Sequence, residues 1–341
     1  MKSVRMPAEW ELPCAIMVSW PHENTDWNYM LEEVQNCYVQ LITALSEFHK
    51  VIIVAPDISV PKKHLHHIPQ DNLMYFNAET NDTWIRDYGA ISLIKDQKLT
   101  AADFCFNAWG MKFAADLDNL VTQHMCDRKL ITVPHTNLRN FVLEGGSIES
   151  DGRGTLLTTA QCLLSPNRNA AMTQQQIKEF LSRTLGATHQ LWLYHGYLAG
   201  DDTDSHVDTL ARIAPHDTII YVGCNDKNDE HYEELQFMKE ELNNMHTVNG
   251  DPYTLIELPM PDAIHDENGN RLPATYANFL VTDKAIFMPA YGQKRNDELA
   301  GQIVQIAFGL PVRYVDCRPL IKQHGSLHCA TMQIPLDSLC L

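Results

Sequence analysis

The chain has 341 residues, 45% hydrophobic and 20% charged, with 43 acidic against 26 basic side chains for a formal net charge of −17. These values exclude a disordered chain and argue against a nucleic-acid footprint, which needs clustered lysine and arginine. Acidity of this kind suits a cationic small-molecule ligand, which a negative cleft concentrates, and serves solubility equally well.

The opening Met1-Lys2-Ser3-Val4-Arg5-Met6-Pro7 has no apolar signal core, and no window approaches a membrane span, so a cytosolic location is expected. Nine cysteines run from Cys14 to Cys340 without a C-x-x-C pair, which fits a reduced compartment. The length admits one large domain or two ordinary ones. No linker or charge run divides the chain, and we read a single domain over residues 1–341.

Ala15 to Trp20 reads as a buried strand. Trp27, Leu31, Val34, Tyr38, Leu41, Leu45 and Phe48 then step by fours and threes along one face of a helix, with Asn24 or Thr25 as its N-cap. Val51 to Val54 is a second strand, stopped by Pro56. Ala90 to Ile94 and Leu99 to Phe106 predict two more strands, and Asp116 to Cys126 a short helix. Phe141 to Ile148 and Thr155 to Thr159 predict a hairpin around Ser150-Asp151-Gly152-Arg153-Gly154. A capping box at Thr173 and Gln176 starts a helix that closes at Gly186. Val207 to Ile213 and Thr218 to Val222 predict a further hairpin, followed by a helix presenting Tyr232, Leu235, Met238, Leu242 and Met245. Phe279 to Thr282 and Ala285 to Pro289 flank an Asp283-Lys284 turn, and a helix carrying Leu299, Ile303 and Ile306 precedes Gly309. Helices alternating with paired short strands five times point to a repeat of roughly 60 to 70 residues.

Four segments carry candidate chemistry. His206 and Asp208 are two residues apart, so in a strand both side chains would enter one pocket; a solvated hairpin edge is the alternative. Glu144 precedes Gly145-Gly146 at the end of an apolar run, where glycine lets the backbone pass close to another segment or a ligand. Asp87 stands three residues after Trp84, and a carboxylate beside an aromatic wall can clamp a flat cation; neighbouring Arg86 reads as scaffold. Cys329 sits among small residues from Gly325 to Thr331 and must become a thiolate to attack. A histidine or a bound cation could lower its pKa, and the sequence leaves that choice open. His328, adjacent in an extended chain, would point away, so it is not assigned as a base. The other eight cysteines read as packing residues, and His64-Leu65-His66-His67 as a polar loop rather than a metal site.

Taken together, Asn81 to Gly89, Glu144 to Ile148, Thr155 to Thr159, Gly200 to Asp208 and Gly325 to Cys329 resemble agmatine deiminases. That group belongs with the Porphyromonas-type peptidylarginine deiminases in the guanidine-modifying superfamily. The resemblance spans nearly the whole chain and begins with Met6-Pro7-Ala8-Glu9-Trp10. It implies a pentein fold, a five-bladed pseudo-symmetric α/β propeller of repeated ββαβ units with its active site on the axis. By motif position it implies Cys329 as nucleophile, His206 as general acid/base, Asp87 and Asp208 gripping the guanidinium, Glu144 orienting His206 and contacting substrate, and Trp84 lining the pocket. The implied reaction converts agmatine and water to N-carbamoylputrescine and ammonia without metal or organic cofactor. Free or peptidyl arginine is the alternative substrate and an amidinotransferase the alternative reaction; a cysteine amidase or a non-enzymatic guanidinium binder fits less well. Asp202 and Asp204 are candidates for reading the distal amine. No nucleic-acid or membrane partner is expected, and a homodimer is common among such proteins. The chain departs from the family pattern at Ser205 and Ala90, where Gly and Pro are usual, at Gln323-His324 within a usual Gly-Gly-Gly run, and at Met332.

Overall fold

Short aliphatic runs form the strands because β-branched and apolar side chains pack well on pleated, covered surfaces. The computed structural model describes residues 4–340. In chain order the strands are β1 (Val4–Arg5), β2 (Cys14–Ser19), β3 (Val51–Ala55), β4 (Leu73–Asn77), β5 (Ile91–Lys95), β6 (Lys98–Cys105) and β7 (His135–Val142). They continue as β8 (Ile148–Ser150), β9 (Thr155–Thr159), β10 (His189–Leu193), β11 (Ala211–Ala214), β12 (Thr218–Val222) and β13 (Thr254–Leu258). The last are β14 (Leu280–Val281), β15 (Ile286–Ala290), β16 (Val312–Asp316) and β17 (Met332–Pro335).

These strands make five sheets with one recurring plan. In the order of the chain, β5 and β6, β8 and β9, β11 and β12, and β14 and β15 pair antiparallel. The second strand of each pair then joins a parallel partner: β7, β10, β13 and β16. A parallel step needs a crossover, and a helix supplies it each time: Asp118–Asp127, Gln174–Leu185, Tyr232–Asn243 and Lys294–Phe308. In the remaining sheet β17 pairs antiparallel with β2 (Met332 opposite Met17), and β2 crosses through the helix Leu31–Ser46 to parallel β3. The C-terminal strand thus completes the N-terminal unit and ties the two ends of the chain together. This is the expected ββαβ propeller unit, five times over.

The sequence periodicity locates the core. Val34, Cys37, Tyr38, Leu41, Ile42 and Leu45 form the buried face of the first helix, and burying each large aliphatic side chain is worth about 1.5–3 kcal/mol. The Thr173–Gln176 capping box forms as expected, and that helix ends at Gly186 with φ 72°. A side chain at Gly186 would collide with the Val4 carbonyl.

Three expectations need correction, and one expected helix shows which side it buries. The first helix is entered through the 3₁₀ turn Asp26–Met30, and Thr25 makes no capping bond; its hydroxyl instead donates to the His22 carbonyl at 2.6 Å. Phe141 is not part of the Thr155 hairpin: it closes β7, and only Ile148–Ser150 pairs with β9. His206 and Asp208 lie not in a strand but at the 3₁₀ turn Val207–Thr209, ahead of β11. On the helix Lys294–Phe308 the buried face is Asp297, Ala300, Gly301 and Val304, while Leu299 and Ile306 face outward. Small residues lie underneath there, and Tyr314 packs so close to Gly301 that a Cβ would strike its hydroxyl.

Candidate active site

Each sheet's first antiparallel strand is entered from an irregular crossing, and the five crossings carry the candidate chemistry. Asp87 lies on the helical turn Ile85–Tyr88 ahead of β5, and Glu144 directly before the turn Gly145–Ser147 ahead of β8. His206 and Asp208 precede β11, Asn278 precedes β14, and Cys329 precedes β17. The crossings are hydrogen-bonded to one another. Gly146 N donates to Asp87 Oδ1 (2.9 Å), Arg86 N to the Cys329 carbonyl (3.2 Å), and His328 N to Asn278 Oδ1 (2.9 Å). Loop residues held this way have the rigidity that a site needs.

Two glycines explain the close approach. A Cβ at Gly145 would strike the Arg86 carbonyl, and one at Gly146 would meet His206 Nδ1, Asp87 Oδ1 and Asp208 Oδ2 at 2.8, 2.9 and 3.0 Å. Three candidate side chains therefore converge on one bare backbone position. Gly325 lies so close to the Trp84 ring that a side chain there would overlap it.

Cys329 Sγ lies 3.8 Å from Asp208 Oδ2 and 3.3 Å from Asn278 Nδ2. Burial, followed by the charges of Asp208 and Asp87, pushes this thiol well above the ordinary range. His206 is fully buried with Nδ1 3.6 Å from Asp87 Oδ1 and the Cys162 sulfur also close by, and among the described residues neither ring nitrogen makes a hydrogen bond of ordinary geometry. Burial by itself would lower its pKa, but Asp87, Cys162 and Glu144 together outweigh that and raise it to about 10. The two aspartates differ. Burial raises Asp87, whose oxygens accept from Gly146 N and from Trp109 Nε1 at 2.9 Å. Burial acts the same way on Asp208, but the His328 hydrogen bond and the charges of His328, His206 and Arg212 bring it below its ordinary value. Its Oδ1 is buried without a partner.

Glu144 is fully buried and gripped through both oxygens by Arg168 Nε, at 2.8 and 3.0 Å. Trp84, Asp87 and Cys329 line one narrow, solvent-open cavity, together with Asp82, Trp109 and Phe113, whereas His206, Asp208 and Glu144 lie buried and do not line it. Asp202 also borders it but is paired with Lys112 at 2.8 Å. Asp204 does not border the cavity and pairs with Arg168 at 2.5 Å and with Lys112 at 3.5 Å. Arg86 is scaffold, bonded to Glu9 (3.0 Å) and Gln333 (2.6 Å).

Sequence reasoning missed several residues. Asn278 had a usable signal, since it occupies in the fourth unit the place that Asp87, Glu144, Asp208 and Cys329 hold in theirs. Cys162 lies on the helical turn Ala160–Leu163 directly after β9 and Arg168 in the loop beyond it, neither in a segment with motif character. Trp109 sits in a run with φ of 51°, 54°, 94° and 67° from Ala108 to Met111, and such backbone strain clusters at functional sites. Among the described residues, three side-chain groups bring metal-type donors within 4.8 Å: Cys14–His49–Asp283, Glu144–Cys162–His206 and Glu9–Glu149–His328. Both His49 nitrogens are already hydrogen-bonded. Arginines hold Glu144, Glu9 and Glu149.

The family model for Porphyromonas-type peptidyl-arginine deiminases matches residues 5–335. The chain belongs to this family. A Legionella pneumophila relative named "Putative agmatine deiminase" is 34% identical over 335 residues, covering 97% of this chain and 94% of that one. Among solved structures, a cysteine-to-serine C. jejuni agmatine deiminase with substrate bound superposes with a TM-score of 0.92 at 40% identity, over 98% of this chain and 97% of that one. The agmatine deiminase of Enterococcus faecalis gives 0.88 at 29% identity, over 97% and 96%. Two departures from the deiminase pattern fall where the backbone is left-handed: Ser205 at φ 62° and His324 at φ 67°. Glycine adopts that region without cost, which accounts for its usual presence there.

Proposed function

We propose that this chain hydrolyses agmatine to N-carbamoylputrescine and ammonia through a covalent intermediate on Cys329. The observation that carries this reading is a set of buried polar atoms without partners among the described residues: both His206 ring nitrogens, beside Asp87, and Asp208 Oδ1, on the carboxylate whose other oxygen lies 3.8 Å from the Cys329 sulfur. Buried polar groups are nearly always paired, so an unpaired set packed behind the cavity that Asp87 and Cys329 border marks a place for a ligand. A planar guanidinium supplies N–H donors on several edges at once.

In the free site the Cys329 thiol is protonated, because burial and two carboxylates oppose the thiolate. A guanidinium between Asp87 and Asp208 offsets both negative charges and so favours ionisation of the sulfur, whose proton leaves to bulk water because His206 is already protonated. The carboxylates hold the cation by charge-assisted hydrogen bonds and localise positive charge toward its carbon. The thiolate then attacks that carbon and forms a C–S bond. His206, raised to about 10 and so protonated at neutral pH, gives its proton to the departing nitrogen, and ammonia leaves. Neutral His206 next takes a proton from water. The resulting hydroxide adds to the thiouronium carbon, the C–S bond breaks, the hydroxyl proton passes to the departing sulfur, and the neutral ureido product is released with the thiol restored.

Agmatine is favoured at the far end of the substrate by charge. Asp26 and Asp82 border the cavity, and neither forms an ion pair with a basic side chain among the described residues. An ammonium is attracted there and a carboxylate, as on free arginine, repelled. The test is an ammonia-release panel over agmatine, free arginine and a peptidyl-arginine ester, with product identification. Turnover of agmatine alone supports the assignment, and preferential turnover of either arginine compound replaces it.

A further inference from the structure

The N-terminal Met6-Pro7-Ala8-Glu9-Trp10 motif and His328 have no role in the mechanism above, yet they meet directly behind one of its carboxylates. His328 is almost wholly buried, and its ring lies between two acids. Nδ1 is 2.7 Å from Asp208 Oδ2, and Nε2 is 2.7 Å from Glu9 Oε1. Arg212 Nη2 also approaches Nε2, at 3.2 Å. Glu9 is itself fixed by two arginines, Arg86 at 3.0 Å and Arg212 at 2.9 Å, and Arg212 is bonded in turn to Glu149. Among the described residues, the Asp208 carboxylate has two side-chain contacts, both at Oδ2, His328 Nδ1 at 2.7 Å and the Cys329 sulfur at 3.8 Å, and its Oδ1 is unpaired.

We propose that Glu9 and His328 are a positioning pair for Asp208, with Glu9 fixing the imidazole and the imidazole fixing Oδ2 so that Oδ1 is left to receive the substrate cation. The pair touches neither substrate nor sulfur and acts only through Asp208. Charged groups packed on the ring are Glu9, Asp208 and Arg212, with Glu149 and Arg86 one contact further out. A carboxylate locked on one oxygen presents the other in a single orientation, and that preorganisation is gained before substrate arrives. The role gives the N-terminal segment, which also contributes β1, a part in the chemistry at the opposite end of the chain. It rests on the deiminase reading of Asp208.

The experiment is a double-mutant cycle on agmatine affinity, measured by calorimetry in a Cys329→Ser background so that binding is read without turnover. His328→Ala is expected to weaken agmatine binding on the order of tenfold or more, the size found when supporting residues are removed from ligand-holding ones. Asp208→Asn alone should weaken it at least as much, and the two changes together no more than Asp208→Asn does. His328→Asn, which returns an N–H near the position of Nδ1, should restore most of the affinity. Glu9→Gln should cost several-fold, and nothing further once His328 is alanine. Multiplicative losses for His328→Ala and Asp208→Asn would overturn the proposal, as would unchanged affinity in a folded His328→Ala protein. Thermal melting of each variant identifies folding failures, for which His328→Asn and Glu9→Gln serve as the milder replacements. Failure of the deiminase reading would appear instead in the unmutated chain, as absence of ammonia release from any guanidine, and would remove the proposal with it.

Discussion

His206 and His328 are both buried against aspartates of one site, yet they are in opposite conditions. Among the described residues His206 makes no hydrogen bond of ordinary geometry through either nitrogen, while His328 is engaged on both. Their aspartates diverge in the same way. Asp87, beside His206, is held by the neutral donors Gly146 N and Trp109 Nε1, and burial raises its pKa. Asp208, bonded to His328, has its pKa lowered. The contrast teaches that residue type and burial do not separate chemical groups from scaffold. Hydrogen-bond satisfaction does: a satisfied imidazole fixes geometry, and an unsatisfied one is available to move a proton.

The sharpest way to break this contrast is to remove each histidine. His206→Gln is expected to lower kcat for agmatine by about 10²–10⁴-fold, the usual yield of a positioned acid/base, whereas His328→Asn should change it less than tenfold. Equal losses in steady-state ammonia release would mean that the two rings are not distinct.

Support for the Glu144 side of the site comes next in size. Arg168 and Glu144 are both fully buried and paired. Arg168→Met leaves a buried carboxylate uncompensated and should destabilise the fold by about 3–5 kcal/mol. Denaturant titration checks this, and a loss below about 1 kcal/mol would show that water reaches Glu144.

The protonation of His206 gives a signed pH test. Its folded-state pKa, about 10, lies above the ordinary histidine value of 6.5. The stability it contributes is therefore fully present below about pH 6.5 and is lost as pH rises through about 10. The stability difference between wild type and His206→Gln should shrink over that interval, measured by chemical denaturation at several pH values. A difference that grows with pH would reverse the assignment.

The smallest expected effect concerns the cavity mouth. Burial, reinforced by Asp26 and Asp87 against the Thr83 hydrogen bonds, raises Asp82 to about 7. Its charge thus appears as pH rises past neutrality, and KM for agmatine should fall several-fold between pH 6 and 8. In Asp82→Asn that dependence should be largely gone. A profile unchanged by the substitution would move the distal-amine site elsewhere.

Much of the architecture was legible because each unit repeats the same local logic. The aliphatic runs of β2, β3 and β12, the Thr173 capping box and Gly186 each announced their element. The limits came where tertiary packing overrides local pattern. Leu299 and Ile306 mark a helical stripe that faces outward, since the inward side requires small residues under Tyr314. His206 and Asp208 share the strand rhythm but lie at a turn. Within the site, motif residues stood out, but their partners did not. Arg168, Cys162 and Trp109 approach from loops and short turns whose position depends on contacts with other units. Nothing local distinguishes Asp204, tied to Arg168 and Lys112, from Asp82, which has no such pairing.

The most direct test of the central claim is rapid-quench intact-mass spectrometry of wild-type protein turning over agmatine, with peptide mapping. The account predicts a transient adduct equal in mass to agmatine less ammonia, located on Cys329 alone among the nine cysteines, and absent with turnover in Cys329→Ser. Ammonia release with no adduct at Cys329, or continued turnover by Cys329→Ser, would contradict it.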